Sequence, residues 1–217
     1  MNLNQCYGSL KEGYEYWRDF FANRRFCIHG NEVVWYQPQL NRTALRITAY
    51  DFGTICDSGQ YSFQLIEDGS IVRLWYRFDR RGREVEAASL SLIRPPSTDK
   101  LSYVEGQRVA DQLNGVCDWF RIDFDPNVNC IPGHAACHIH FSDMANARIP
   151  LSRLPTPKQF IAWVISLVYP EVHTERLGDK LDDANAINAP CFMGEQRDRL
   201  AAFFYLNIPP VPVEQNL

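Results

Sequence analysis

The 217-residue chain is long enough for one sizeable domain, and its 46% hydrophobic and 13% aromatic content excludes an intrinsically disordered protein. Its formal net charge of −4 at pH 7 provides no bulk positive field for nucleic acid or an anionic membrane, so any such contact would have to be local. The longest apolar run, residues 160–169, is too short to span a bilayer.

Cysteine usage indicates a reducing compartment. The seven cysteines are odd in number, they lack paired Cys-x-x-Cys spacing, and no signal peptide precedes them. This pattern is typical of a reduced cytosolic protein. We therefore expect a soluble, cytoplasmic protein that makes no membrane contact.

The N-terminal segment has the pattern of an amphipathic helix over roughly residues 3–23, because large apolar side chains recur there at alternating steps of four and three. These side chains are Leu3, Tyr7, Leu10, Tyr14, Trp17 and Phe21. Two strand-like runs follow, at residues 26–29 and 33–37, separated by the turn residues Gly30 and Asn31. They predict a small hairpin.

A further extended run at residues 44–49 precedes a predicted loop, and a meander then follows. Its three strand-like runs cover residues 61–67, 71–79 and 84–93, with turns at Asp68-Gly69 and at residues 80–82. Arg73 and Arg77 share the face opposite the apolar side chains of the middle run. We expect both arginines to be solvated on a half-exposed sheet.

Three later segments also alternate between two sets of side chains, namely residues 119–125, 136–141 and 147–151. A period of two sorts a strand into a core face and an opposite face. Consecutive strands most often pair, so we expect an antiparallel meander with its apolar side chains in the core. The polar side chains that would meet on the other face are Arg121, Asp123, His138, His140 and Arg148.

Helices are predicted after this meander. Thr156 and Pro157 have the pattern of an N-cap and a first helical residue, and Pro170 ends the helix. A last helix is predicted over residues 195–206. The fold class is therefore α+β, with an N-terminal helix, a predominantly antiparallel, curved sheet of about seven to nine strands, and C-terminal helices packed on it. We predict a single domain over residues 1–217, with a weak subdivision near residues 95–100 as the alternative.

Four motifs occur in a characteristic order: Arg121-Ile-Asp-Phe-Asp-Pro126, His134-Ala-Ala-Cys-His-Ile-His-Phe141, Ala147-Arg-Ile-Pro150, and Thr156-Pro157 with Phe160 and Tyr169. This order resembles that of a bacterial family known as domain of unknown function twenty-two ninety. The resemblance covers roughly residues 118–170, and it implies which residues form the site without implying a chemistry. A looser similarity, to small toxins of bacterial toxin–antitoxin pairs, implies a nuclease in a toxin–antitoxin or antiphage defence setting.

The leading functional hypothesis is a metal-independent ribonuclease. Two histidines can act as general base and general acid on RNA while arginines stabilise the charge at phosphorus. His138 and His140 would lie about 6 to 7 Å apart on one strand face and flank a phosphate. His134 is the third candidate histidine, Arg121 and Arg148 would bind the anion, and Asp123 would orient a histidine. No cofactor is required in this hypothesis.

Two alternatives remain open. In the first, His138 and His140 bind a divalent metal such as zinc or manganese, with His134, Asp123 or Asp125 completing the site of a metal-dependent hydrolase. In the second, the arginine, aspartate and histidine side chains satisfy one another structurally. The chain would then be a non-catalytic interaction subunit that binds a protein partner or forms a homo-oligomer.

Overall fold

The computed structural model describes residues 1–35, 49–96, 117–127, 135–142, 144–151 and 153–170, and for residues 49–50 and 144–147 it describes the backbone alone. Within these residues the helices are α1 (Leu3–Tyr16), α2 (Ala49–Asp57) and α3 (Pro157–Val168), with a short 3-10 helix at Arg18–Phe20. The strands are β1 (Phe21–Arg24), β2 (Phe26–His29), β3 (Glu32–Trp35), β4 (Phe63–Leu65), β5 (Ile71–Phe78), β6 (Val85–Ile93), β7 (Trp119–Phe124), β8 (Cys137–Phe141) and β9 (Met144–Pro150).

The nine strands form one antiparallel, open sheet, which confirms the predicted α+β class. Its main path runs β1-β4-β5-β6-β7-β8-β9. Strand β5 pairs with β6 along one edge, while its other edge is shared by β4 at its start and by β3 at its end. Strand β3 pairs in turn with β2. The antiparallel meander predicted from the three later alternating segments is confirmed as β7, β8 and β9.

One face of the sheet carries the main hydrophobic core. The apolar side chains of β5 to β8, among them Leu74, Leu90, Ile122 and Ile139, pack there with α1 and α3. The two helices approach each other closely at Gly13, where an added Cβ would lie 2.9 Å from Cδ1 of Ile161. The main core therefore lies on one side of the sheet, and the polar side chains of β5 to β8 point to the other side.

The opposite face is divided into three parts by its residue types. At one end Tyr61, Ile71, Ile93, Cys117 and Trp119 form an apolar cluster against which α2 packs. At the other end lies a second apolar cluster, made of Val34, Trp35, Trp75 and Ala87. The polar side chains of β5 to β8 lie between the two clusters.

The predicted start of the C-terminal helix is confirmed. Thr156 caps α3, because its side chain accepts a hydrogen bond from the backbone N–H of Gln159 while the Gln159 side chain accepts from the N–H of Thr156. Pro157 lies in the first turn, where its missing N–H has no cost. The predicted helix over residues 195–206 lies outside the described residues, as do residues 97–100 of the predicted subdivision.

Other elements differ from the sequence prediction. Helix α1 ends at Tyr16, and the chain enters β1 at Phe21, which pairs with Leu65 and stacks on Phe63 at a centroid distance of 4.8 Å. The helical spacing of Phe21 was therefore coincidental. The segment before residue 61 was predicted to be a loop but contains α2, and residues 44–48 of the extended run lie outside the described residues.

The prediction that Arg73 and Arg77 are both solvated was wrong for Arg73. Arg73 is only 8% exposed, and its guanidinium lies over the Trp35 ring at 4.5 Å. The side chain of Arg77 is 44% exposed and forms an ion pair with Glu86 at 3.8 Å.

The described helices are all too short or too polar to cross a membrane.

Candidate functional site

Strand pairing brings the predicted site residues together. Along β7 and β8, Arg121 is directly opposite His140, and Asp123 is directly opposite His138. Residues paired across an antiparallel ladder point to the same side of the sheet. Four of the six predicted side chains therefore lie on one face, at the centre of the polar region.

Asp123 is the centre of the hydrogen-bond network. Its Oδ1 accepts a hydrogen bond from the hydroxyl of Ser89 at 2.9 Å, and its Oδ2 accepts one from Nε of Arg121 at 2.8 Å. Nε2 of His140 lies 3.6 Å from the same Oδ2. A carboxylate has about four lone-pair positions, so Asp123 can still accept further hydrogen bonds or bind a cation.

The two histidine rings contact each other. Their centroids are 4.7 Å apart and their planes meet at 74°, so an edge of one ring faces the other. Nδ1 of His138 lies 2.7 Å from the carbonyl oxygen of Ala135. A carbonyl oxygen can only accept, so Nδ1 must carry the proton, and Nε2 carries the lone pair in the neutral ring.

The site is largely buried beneath its surroundings. His138 is 6% exposed and His140 3% exposed, whereas the side chains of Arg121 and Asp123 are 12% and 26% exposed. Solvent therefore reaches the group mainly from the side of β7.

Nitrogen and oxygen atoms of three residues are close enough to hold a metal ion together. One ligand atom from each of Asp123, His138 and His140 lies within 4.8 Å of the others. Two imidazoles and one carboxylate form a donor set that suits zinc, manganese or iron.

The remaining predicted site residues are not in this group. Arg148 is exposed, and it follows an irregularity in the β8–β9 register between the pairs Ile139–Ile149 and Phe141–Met144. Asp125 is also exposed, and its Oδ1 accepts a hydrogen bond from the backbone N–H of Asn127. His134 lies outside the described residues.

Sequence reasoning did not identify Ser89 or the carbonyl of Ala135 as part of the site. Ser89 and Ser91 alternate with Leu90 and Leu92, so the sequence did place small polar groups on the second face of β6. A serine in a strand is so common that this alternation does not indicate a partner. A backbone carbonyl leaves no signal in the sequence.

The fold and site together define an α+β protein in which an open antiparallel sheet carries a partly exposed aspartate beside two buried histidines. A family model described as an uncharacterized conserved protein (DUF2290) matches residues 22–203, so the chain belongs to this family. The match confirms the family expected from the motifs of residues 118–170 and extends it over most of the chain. No curated protein and no solved structure matches the chain.

Proposed function

We propose that this protein is a metal-dependent phosphodiesterase that acts on RNA, with Asp123, His138 and His140 as the ligands of a divalent ion. The observation that carries the proposal is the convergence of three ligand atoms within 4.8 Å of one another. Ligands at about 2.0–2.2 Å from a tetrahedral ion lie roughly 3.5 Å from one another, so binding would draw the most widely separated of these atoms together by roughly 1 Å.

The surroundings of the three residues support a role as ligands. The carbonyl of Ala135 fixes the tautomer and orientation of His138, which is the outer-shell arrangement that metal-binding histidines commonly have. Ser89 and Arg121 hold the Asp123 carboxylate in place. With three ligands among the described residues, an ion would keep coordination positions for water and substrate, as catalytic sites do.

The chemistry follows from the ion and from Arg121. A bound divalent ion lowers the pKa of a coordinated water and polarises a phosphoryl oxygen. In the hydrolysis, the water oxygen forms a bond to phosphorus and the bond from phosphorus to the leaving oxygen breaks. One water proton passes to solvent, and the leaving oxygen takes a proton from solvent. Arg121, adjacent to the cluster and partly exposed, stabilises the negative charge that develops on the phosphoryl group.

This proposal takes its substrate from the ribonuclease hypothesis and its chemistry from the metal alternative. Rings in edge contact at 4.7 Å leave no space between them for a phosphate, so base and acid catalysis by the two histidines from opposite sides has less support. The defence or toxin–antitoxin setting stays a prediction that rests on the similarity in the motifs alone. A protein partner stays a prediction of the alternative in which the network is structural.

The test is hydrolysis of a labelled single-stranded RNA by protein that has been stripped with a chelator and then resupplied with zinc or manganese. We expect activity to require the ion and to fall by about a hundredfold or more in His138→Ala and in His140→Ala. His29→Ala changes an exposed histidine of β2 outside the group and should retain activity.

Other results would overturn the proposal. Activity that persists in chelator and disappears in the two histidine variants would instead identify metal-free acid–base catalysis. Absence of both turnover and metal binding would assign the network a structural role in an interaction subunit.

A further inference from the structure

We infer that the same sheet face holds a second phosphate subsite next to the metal ligands, centred on Ser91 and flanked by Arg73 and Arg121. This inference rests on the proposed function and specifies its substrate as a polynucleotide with several phosphates. It assigns a ligand to the neighbouring part of the face on β5 and β6, which adjoins the metal site at Arg121.

The subsite lies in a row of four polar residues on four adjacent strands. Arg73 of β5 pairs with Ser91 of β6, Ser91 pairs with Arg121 of β7, and Arg121 pairs with His140 of β8. Neighbouring strands are about 4.8 Å apart, so Ser91 lies roughly 10 Å from the backbone of His140. Two arginines therefore flank one serine, and the row continues directly into the metal ligands.

Ser91 provides the first sign that a ligand belongs here. It is 7% exposed, and no hydrogen bond of its hydroxyl is found in the part of the chain that the structure describes. Its oxygen is not one of the fully enclosed unpaired side-chain atoms of the described residues, so it can be reached from outside and can donate a hydrogen bond to a ligand. An acceptor-rich ligand between the two arginines would satisfy this donor.

Two tryptophans provide independent evidence of the same kind. The guanidinium of Arg73 lies over the Trp35 ring at 4.5 Å, and that of Arg121 lies over the Trp119 ring at 5.7 Å. The indole nitrogen of each of these tryptophans is buried and has no acceptor among the described residues. The unpaired groups around the row are thus N–H and O–H donors, whose complement is an anion rich in acceptor oxygens.

A phosphate of a nucleic acid fits this combination better than a lone carboxylate does. Arginine binds phosphate bidentately, and stacking on an aromatic ring holds the guanidinium plane in position. The overall charge of −4 provides no general attraction for polyanions, so binding has to depend on local groups such as these. The adjacent metal site would hold the scissile phosphate while the Ser91 subsite holds a neighbouring one.

The experiment measures binding of a short fluorescein-labelled oligouridylate by anisotropy, in chelator, over a series of salt concentrations. We expect Ser91→Asp to weaken binding by about tenfold or more, because its carboxylate occupies the position of the phosphate between the arginines. Arg73→Gln should reduce the slope of log affinity against log salt by about 0.7, the value for one phosphate contact with a single strand. A merely structural role would leave that slope unchanged.

The control is Ser166→Asp, which makes the same charge change on α3, on the other side of the sheet, and should bind as the unaltered protein does. If Arg73→Gln does not fold, Ser91→Asp still tests the inference. The carboxylate introduced at position 91 lies between two arginines, which compensate its charge. Circular dichroism establishes that each variant is folded.

The inference is overturned if the unaltered protein does not bind the oligouridylate, or if both subsite variants bind it with unchanged affinity and slope. Competition by polyglutamate as effective as that by unlabelled oligouridylate would also overturn it, in favour of an acidic protein partner. Because binding is measured in chelator, these outcomes are distinct from failure of the metal site, which is detected by metal content alone.

Discussion

Nε2 of His140 lies 3.6 Å from Oδ2 of Asp123, and this same oxygen accepts a hydrogen bond from Nε of Arg121 at 2.8 Å. One carboxylate on β7 therefore links a histidine of the next strand to an arginine of its own strand. Its second oxygen is bonded to Ser89 of the preceding strand. The position of Asp123 depends on three neighbours, which can be changed one at a time.

Ser89→Ala should weaken metal binding without removing it. The variant loses the donor to Oδ1 of Asp123, while Arg121 still holds Oδ2. Loss of an outer-shell hydrogen bond typically reduces metal affinity by about tenfold or more, and the free energy of unfolding should fall by about 1 kcal/mol. Isothermal titration with zinc measures the first quantity, and urea denaturation measures the second.

The matched control is Ser91→Ala, which removes a hydroxyl from the same face of β6 but breaks no bond to Asp123. Its zinc affinity should equal that of the unaltered protein. Equal affinities for the two variants would contradict a supporting role for Ser89.

Gly13→Ala should destabilise the fold. A Cβ at this position would lie 2.9 Å from Cδ1 of Ile161 and 3.1 Å from the Cα of Lys158, so α1 and α3 would have to move apart. Overpacking of this kind costs about 1–3 kcal/mol, and the better helix propensity of alanine offsets about 1 kcal/mol of it. We expect a net loss of about 1 kcal/mol in the free energy of unfolding, measured in urea.

Gly8→Ala is the control within the same helix. No atom lies within 4 Å of the Cβ it would add, so alanine should raise the free energy of unfolding by about 0.5–1 kcal/mol. Effects of the same sign in both variants would contradict the close packing of α1 against α3.

Cys117 should resist alkylation in the native protein. Burial, followed by the charge of Asp118, raises its pKa to about 12. The thiolate is the reactive form, and a raised pKa leaves little thiolate at pH 8. The rate of alkylation should therefore keep rising as the pH is raised well above 8. Cys27 is only partly buried, and burial raises its pKa as well, but its greater exposure should make it react faster. Peptide mapping after brief iodoacetamide treatment compares the two; equal rates would contradict the burial of Cys117.

The sequence was sufficient to predict the sheet face but not the contacts on it. Alternation in residues 119–125 and 136–141 predicted that Arg121, Asp123, His138 and His140 share a side, because side-chain direction in a strand depends only on parity. It did not predict that the histidine rings touch, since that depends on χ angles and on what covers them. Parity also placed Arg73 opposite the core-facing Leu74, but it could not show that a Trp35 ring from a strand distant in sequence covers the guanidinium.

Register irregularities explain the remaining difference at the site. Arg148 lies at a position of the alternating segment 147–151 that predicts the same face as the histidines. The register shift between β8 and β9 cannot be inferred from alternation, however, and the side chain of Arg148 is exposed. Helix α2 was missed because its short sequence, Ala49–Asp57, has too few turns for a clear helical period.

The most direct test of the central claim is the metal content of the purified protein, measured by inductively coupled plasma mass spectrometry after loading with zinc or manganese and removal of excess ion. We predict one tightly held ion per chain in the unaltered protein and in His29→Ala, and loss of that ion in Asp123→Ala, His138→Ala and His140→Ala. An unaltered protein that retains no ion, or a His140→Ala protein that retains as much as the unaltered one, would contradict the account.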